Sequence, residues 1–286
     1  MVRVLVGLDG SVHDPAKPFL SADDLAAMRG DGAFETVLVR GGKACVIVLH
    51  LERLKQSAEA LDLPVPDPIM WRGAVTRALR EWGSKTEGAM RLVYSRGPES
   101  GGEPTAYVTV GPVPERVTAA RKSGVSVMTL ARGYSVDLAQ VAPWQLLGAK
   151  TLSYATNMAA LQFAQRYDAD DVIFVSSEGR VLEGPRSSVV VLRDKTLVTP
   201  PASQGILSGT TQRALFDVAP AAGYECVYEP IFPADLITAD GVWLLSSVTL
   251  AARVHTLDGL ALRAPGRSAE ITALVDKAVA TVGVMR

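Results

Sequence analysis

The chain has 286 residues, 48% of them hydrophobic and 21% charged, with a formal net charge of −1, which suffices for one large buried core or two smaller ones and excludes a disordered chain. Its Lys and Arg residues are scattered, so no basic footprint for nucleic acid or an anionic membrane stands out, and a small-molecule partner is expected. No apolar run reaches the roughly 18 residues of a membrane span, MVRVLVGLDG lacks the features of a signal peptide, and Cys45 and Cys226 form neither a CxxC nor a disulfide framework; a reducing, cytoplasmic setting is expected.

In chain order, β-branched residues mark strands at 2–8 (VRVLVGL), 35–39 (ETVLV) and 44–49 (ACVIVL), with Gly41-Gly42 supplying the positive φ of a tight hairpin between the last two. Leu51, Leu54, Ala58 and Leu61 recur at helical spacing before the stop signals Pro64 and Pro66. A second helix is predicted from Pro68 to Trp82, with Trp71, Val75, Ala78, Leu79 and Trp82 on one face and Gly83 as its cap. Strands near 90–95 and 105–110 complete an α+β unit. The Pro/Gly-rich, polar stretch 111–124 reads as a boundary, giving a small α+β N-terminal domain over 1–117 and a larger, β-rich C-terminal domain over 118–286. Strands of the second domain are expected at 125–130, 171–176, 188–192, 196–199, 225–229 and 242–246, and helices near 153–167, 209–219 and 268–282. Ser268 is the expected N-cap of the last helix, whose Ile271, Leu274, Val275, Ala278 and Val282 form the buried stripe.

Several chemistries lack their parts. GAKT resembles the tail of a phosphate-binding P-loop, but the two glycines that loop requires are replaced by Ala149 and Trp144. His13, His50 and His255 show no HExxH spacing, so no metal site is expected, and no GxSxG elbow is present. GDGAFE (30–35) has two of the three glycines of a dinucleotide fingerprint, which is weak support.

Lys150 stands out because QLLGAKTLSYATNMAAL (145–161) holds one lysine and no acidic residue. Either the amine is desolvated, which drives its pKa down and makes it a nucleophile, or it begins a helix and reaches solvent. Three other stretches bear on the choice. Glu183 ends a strand-like run before a Gly-Pro turn, as an interior or a surface acid; Ser208, Gly209, Thr210 and Thr211 begin a helix, as an ordinary cap or as an anion cradle of N–H groups and hydroxyls; Arg53 lies on a helix, as a solvated charge or an anion partner. Lysine, carboxylate and anion cradle together suit pyridoxal 5′-phosphate, which needs a lysine for covalent attachment, an acid at its pyridine nitrogen and donors for its phosphate.

GDGAFET (30–36), HLERL (50–54), SRG (95–97), GAKTLSY (148–154), VLEGPRSSVVV (181–191), GILSGTTQRAL (205–215) and LLSSVTLAARV (244–254) stand in an order that resembles the class IV, fold type IV pyridoxal-phosphate enzymes: branched-chain aminotransferases, D-amino-acid aminotransferases and 4-amino-4-deoxychorismate lyases. The similarity covers most of the chain. It implies a two-domain fold of mixed helix and sheet, pyridoxal 5′-phosphate as cofactor, a homodimer, and Lys150 as Schiff-base lysine and general base. It further implies Glu183 at the pyridine nitrogen, Arg53 at the phosphate with Gly209, Thr210, Thr211 and Ser247, and Ser188 near the cofactor where relatives often carry Asn. Phe34, Arg96 and Tyr154, with the backbone N–H groups of Val248 and Thr249, are implied at the substrate.

Among the three activities, the Arg-x-His pair of D-amino-acid aminotransferases is absent from RGPESGGEPTAY. The tyrosine of branched-chain enzymes is replaced by Glu35, and their GITR by GTTQ (209–212). KTLSY, LEGPRSS and LLSSVTLAARV look most like the lyases, which release 4-aminobenzoate and pyruvate in folate biosynthesis. The alternatives are an aminotransferase for branched-chain or D-amino acids and an inactive binding protein of the same fold.

Overall fold

The computed structural model describes residues 2–282. They fall into two compact units: the chain through Pro114 together with Ala149–Tyr154, and Glu115–Gly148 with Ala155–Val282. The linear reading at 117/118 does not contain the return of 149–154 to the first unit.

The first unit is built from β1 (Val4–Gly7), β2 (Val12–His13), α1 (Leu25–Arg29), β3 (Gly32–Arg40), β4 (Lys43–Ala44), α2 (Ile47–Ala60), α3 (Pro68–Trp82), β5 (Gly88–Ser95) and β6 (Thr105–Pro112). Its strands form one antiparallel sheet in the order β2-β1-β6-β5-β3-β4. The β3–β4 hairpin turns on Gly41 (φ 56°) and Gly42 (φ 72°), as their sequence suggested. The strand expected over 44–49 does not form. The chain enters α2 at Ile47 instead, since a helix begun here buries Ile47, Leu49, Leu54 and Ala58 together. The α3 helix runs over the residues expected and buries Trp71, Ala74, Val75 and Ala78, while Leu79 and Trp82 are half-buried.

The second unit opens with α4 (Glu115–Ser123), a helix where a linker was expected, followed by β7 (Val125–Ala131), α5 (Leu138–Val141), α6 (Ala155–Gln165), β8 (Asp171–Val175), β9 (Ser188–Arg193) and β10 (Thr196–Thr199). It continues with α7 (Thr210–Val218), β11 (Glu225–Tyr228), α8 (Pro233–Thr238), β12 (Gly241–Ser246), β13 (Leu250–Leu257), β14 (Leu260–Ala261) and α9 (Ser268–Thr281). The sheet order is β11-β10-β9-β12-β13-β7-β8, with β14 on β13. Its centre is fully apolar: Val189, Val191, Val242, Leu244, Ala252 and Val254 share a core cluster. Arg267, not Ser268, occupies the N-cap of α9, and Val279 takes the buried place expected of Val282, which lies beyond the helix as its C-cap. Among the described residues no helix is long and apolar enough to cross a membrane, and no group of three or more His, Cys, Asp or Glu could hold a metal ion.

Candidate active site

Lys150 does not begin α6. It lies five residues before that helix, in a segment laid along β3: Phe34 N–H donates to the Lys150 carbonyl (3.0 Å), Leu152 N–H to the Gly32 carbonyl (2.8 Å), and Ala33 bridges Thr151. Two glycines permit this approach. A Cβ on Gly32 would lie 2.6 Å from the Tyr94 carbonyl oxygen and 2.8 Å from Leu152 Cδ1, and one on Gly30 (φ 67°) would lie 2.7 Å from Ser153 Oγ. GDG, which looked like a fragment of a nucleotide fingerprint, is thus the bed on which the lysine segment rests.

The half-buried Lys150 ammonium sits 4.6 Å from the centroid of Phe34 and 5.5 Å from that of Tyr154, and the two rings meet edge to face at 5.3 Å. Ring faces stabilise a cation, and they can equally flank a flat conjugated group held at Nζ. From α2, Ser57 Oγ accepts the Lys150 backbone N–H at 3.0 Å, which fixes the root of the side chain.

One face of α2 is polar and buried: His50, Arg53 and Ser57 follow one another at helical spacing. Arg53 is bidentate on Glu35 of β3, Nε to Oε1 at 2.8 Å and Nη2 to Oε2 at 2.7 Å, and His50 Nδ1 lies 2.6 Å from Glu35 Oε2. Burial by itself would raise the Glu35 carboxyl, but the charge and hydrogen bonds of Arg53, aided by His50, overcome it and hold the group at about 2. Burial pushes His50 below its ordinary value against the pull of Glu35, and the charge of Lys150 acts in the same direction as burial. His50 is therefore neutral, with Nδ1–H donating to Glu35. Reading α2 only for its apolar residues missed this stripe; the recurrence of polar residues at 50, 53 and 57 was its available signal.

In the second unit, Glu183 follows the isolated bridge Val175–Val181, and its carbonyl accepts from Phe174 N–H at 2.9 Å. Leu207 N–H donates to Glu183 Oε2 at 3.2 Å, so the loop before α7 orients the carboxylate. Gly209 is the N-cap of α7 and provides no side-chain cap. A Cβ there would run into Ser188 Oγ at the start of β9, so that hydroxyl lies against bare backbone at the helix entry. Thr210 and Thr211 form the first turn, both buried, and Thr211 Oγ1 has no hydrogen-bond partner. An orphaned buried hydroxyl costs about 1–3 kcal/mol, and here it stands in the first turn of a helix, where the dipole favours an anion.

A family model for class IV amino-transferases matches residues 32–257. The chain belongs to the class IV aminotransferases. These are pyridoxal-phosphate enzymes. Over 285 residues this class IV chain is 54% identical to a bifunctional aminodeoxychorismate lyase / D-amino acid transaminase of Mycobacterium tuberculosis, covering 96% of this chain and 99% of the relative. An aminotransferase of M. tuberculosis solved in a PLP-bound form superposes with a TM-score of 0.95 at 55% identity, over 97% of this chain and 99% of that one. A fold IV transaminase of Curtobacterium pusillum superposes with a TM-score of 0.91 at 41% identity, over 96% and 97% of the two chains. The two-domain α+β reading of this class IV enzyme agrees with these neighbours.

The cofactor of the class suits the donors present. The orphan Thr211 hydroxyl at the entry of α7 matches a phosphate, and the ring-flanked amine of Lys150 matches covalent attachment. Ser247 and Thr249 are half-buried in the β12–β13 turn, and Val248 is buried there. Arg96 has a clear structural partner set: Nε meets Asp31 Oδ2 at 2.6 Å and Nη2 meets the Leu61 carbonyl at 2.6 Å, which ties β5 to the GDG segment and the end of α2. Those partners give Arg96, which the resemblance places at the substrate, a scaffolding contact within the first unit. Arg53, expected at a phosphate, has Glu35 as its principal partner.

Proposed function

We propose that this class IV enzyme is a 4-amino-4-deoxychorismate lyase that forms 4-aminobenzoate and pyruvate, with transamination of D-amino acids as a second activity. The observation that carries the reading is the 54% identity, over 99% of its length, to a relative named for both activities. That joint name also favours the second activity despite the missing Arg-x-His pair. We assign the product to folate biosynthesis and the enzyme to the cytoplasm, and propose a homodimer, to which Met158 and Phe163, exposed on α6, could contribute apolar surface.

When bound, pyridoxal phosphate would supply an electron sink for the carbon that bears the substrate's amine. Lys150 would hold the cofactor and, once released, would take the proton from that same carbon; a positioned base of this kind contributes about 10²–10⁴-fold. Glu183, steadied by Leu207 N–H, keeps the ring nitrogen protonated. Gly209, Thr210, Thr211, Ser188 and Ser247 would hold the phosphate, and the family resemblance assigns Arg53, its charge balanced by Glu35, to the same group. Phe34 and Tyr154 flank the amine of Lys150. Val248 and Thr249 receive the substrate carboxylate. For the lyase, loss of the ring proton is coupled to breaking the enolpyruvyl C–O bond, and the leaving group takes up a proton to become pyruvate. For the transaminase, Lys150 would act as the acid that redelivers the proton it has taken.

The test supplies aminodeoxychorismate without a keto acid to the holoenzyme. Fluorescent 4-aminobenzoate and pyruvate should accumulate over many turnovers, and Lys150→Ala should abolish both the product and the visible absorption band. Turnover only with an amino acid plus a keto acid would replace the lyase by the transaminase.

A further inference from the structure

The stretch that reads as a linker, 111–124, forms α4, which ends at Gly124 (φ 81°). A Cβ there would strike the carbonyl oxygen of Arg253, so the glycine lets the end of α4 press directly onto β13. One turn earlier in α4, Arg121 reaches the turn that leads into the same strand. Its Nε, at 3.1 Å, and its Nη2, closer still, both donate to the carbonyl oxygen of Val248.

That oxygen and the N–H of Thr249 are the two ends of one peptide group. In a trans peptide they point in opposite directions, so a guanidinium fixed on the oxygen aims the N–H away from itself. Hydrogen bonds from a cation to the carbonyl also polarise the amide and make its N–H a stronger donor. Among the described residues Thr249 N–H meets only a long bond, 3.3 Å, to Ser246 Oγ, which a better acceptor would displace. The next residue, Leu250, is buried at φ 64°, a conformation that a leucine adopts only where surrounding contacts impose it. The turn is therefore held in one shape.

We propose that Arg121 is a positioning residue for the substrate's carboxylate, acting through the Val248–Thr249 peptide rather than by contact. The inference rests on the reading that Thr249 N–H receives that carboxylate. It gives the site a source of positive charge, which this chain needs because it lacks an Arg-x-His pair.

Pyruvate binding to the holoenzyme, followed by calorimetry, and D-alanine kinetics test the inference. Arg121→Gln should raise the pyruvate Kd and the D-alanine KM roughly tenfold, about the effect of one charge-assisted hydrogen bond, while kcat falls less. Arg121→Lys, which keeps the charge but not the fork, should fall between the two. Ethylamine, which has an amine but no carboxylate, should perturb the visible band equally in all three proteins. Unchanged pyruvate Kd and D-alanine KM, or an equal loss for ethylamine, would overturn the inference. If Arg121→Gln does not fold, Arg121→Lys decides by the same criteria. Wild-type protein that binds pyruvate through Arg121 but turns over nothing would overturn the proposed activity alone, and an active enzyme indifferent to Arg121→Gln would overturn this inference alone.

Discussion

Replacing Glu35 by Gln keeps the shape of the buried cluster in the first unit and removes its negative charge. Arg53 then loses a bidentate carboxylate (2.8 and 2.7 Å) and His50 an acceptor at 2.6 Å, all inside the protein. Removing one member of a buried pair costs about 3–5 kcal/mol because the other charge remains buried. Linkage gives a similar figure: holding a carboxyl at about 2 in place of its ordinary 4.5 corresponds to roughly 3 kcal/mol. At neutral pH Glu35→Gln should therefore lower stability by roughly 3–4 kcal/mol, or Tm by about 6–8 °C for a chain of this size. The gap should depend on pH in a defined sense. Glu35 stays ionised in the fold down to about 2, whereas in the unfolded chain it takes a proton near 4.5, so its stabilisation is complete above 4.5 and is lost as pH falls from there towards 2. His50, held neutral by burial, adds a separate loss of stability that begins as pH drops below 6.5, where the unfolded histidine charges first. Thermal melts of both proteins by circular dichroism, from pH 8 to pH 3, measure this. A gap below about 1 kcal/mol at neutral pH, or one that does not shrink below pH 4.5, would refute the account of the cluster.

Gly32→Ala, which drives a methyl against the Tyr94 carbonyl and Leu152, should cost about 1–3 kcal/mol and weaken pyridoxal phosphate uptake by displacing the lysine segment, read from the visible band. By contrast, Gly73→Ala in α3, where a Cβ would meet nothing, should stabilise the protein by about 0.5–1 kcal/mol and leave the band intact. Thr211→Val, which removes a buried hydroxyl that has no protein partner, should leave the apoprotein as stable or more so while weakening pyridoxal phosphate roughly tenfold; equal affinity in a fluorescence titration would take the hydroxyl out of the cradle.

Local patterns carried much of the fold. The α3 helix announces itself by Pro68 at its start, apolar residues at helical spacing and Gly83 at its end, all within 16 residues. The β3–β4 turn and the central strands of the second sheet are likewise written in short runs of glycine or valine. Lys150 could be singled out as the lone charge in an apolar stretch and Glu183 as the acid that ends a strand-like run before a Gly-Pro turn, and the ordered motifs pointed to the class. What those runs could not convey is which partner a residue meets across a large sequence separation. ACVIVL suits a strand by composition but its second half becomes helix, because only the assembled first unit offers α2 a surface to bury. Glu35, read as a mere replacement for tyrosine, is the carboxylate that gathers His50 and Arg53 from 15 and 18 residues away. Arg121 acquires a role only when α4 docks on β13 and brings it to Val248, 127 residues on. Propensity and periodicity act over one or two turns of chain and are readable there, whereas desolvation and charge pairing depend on what else is buried beside a group, which tertiary packing alone decides.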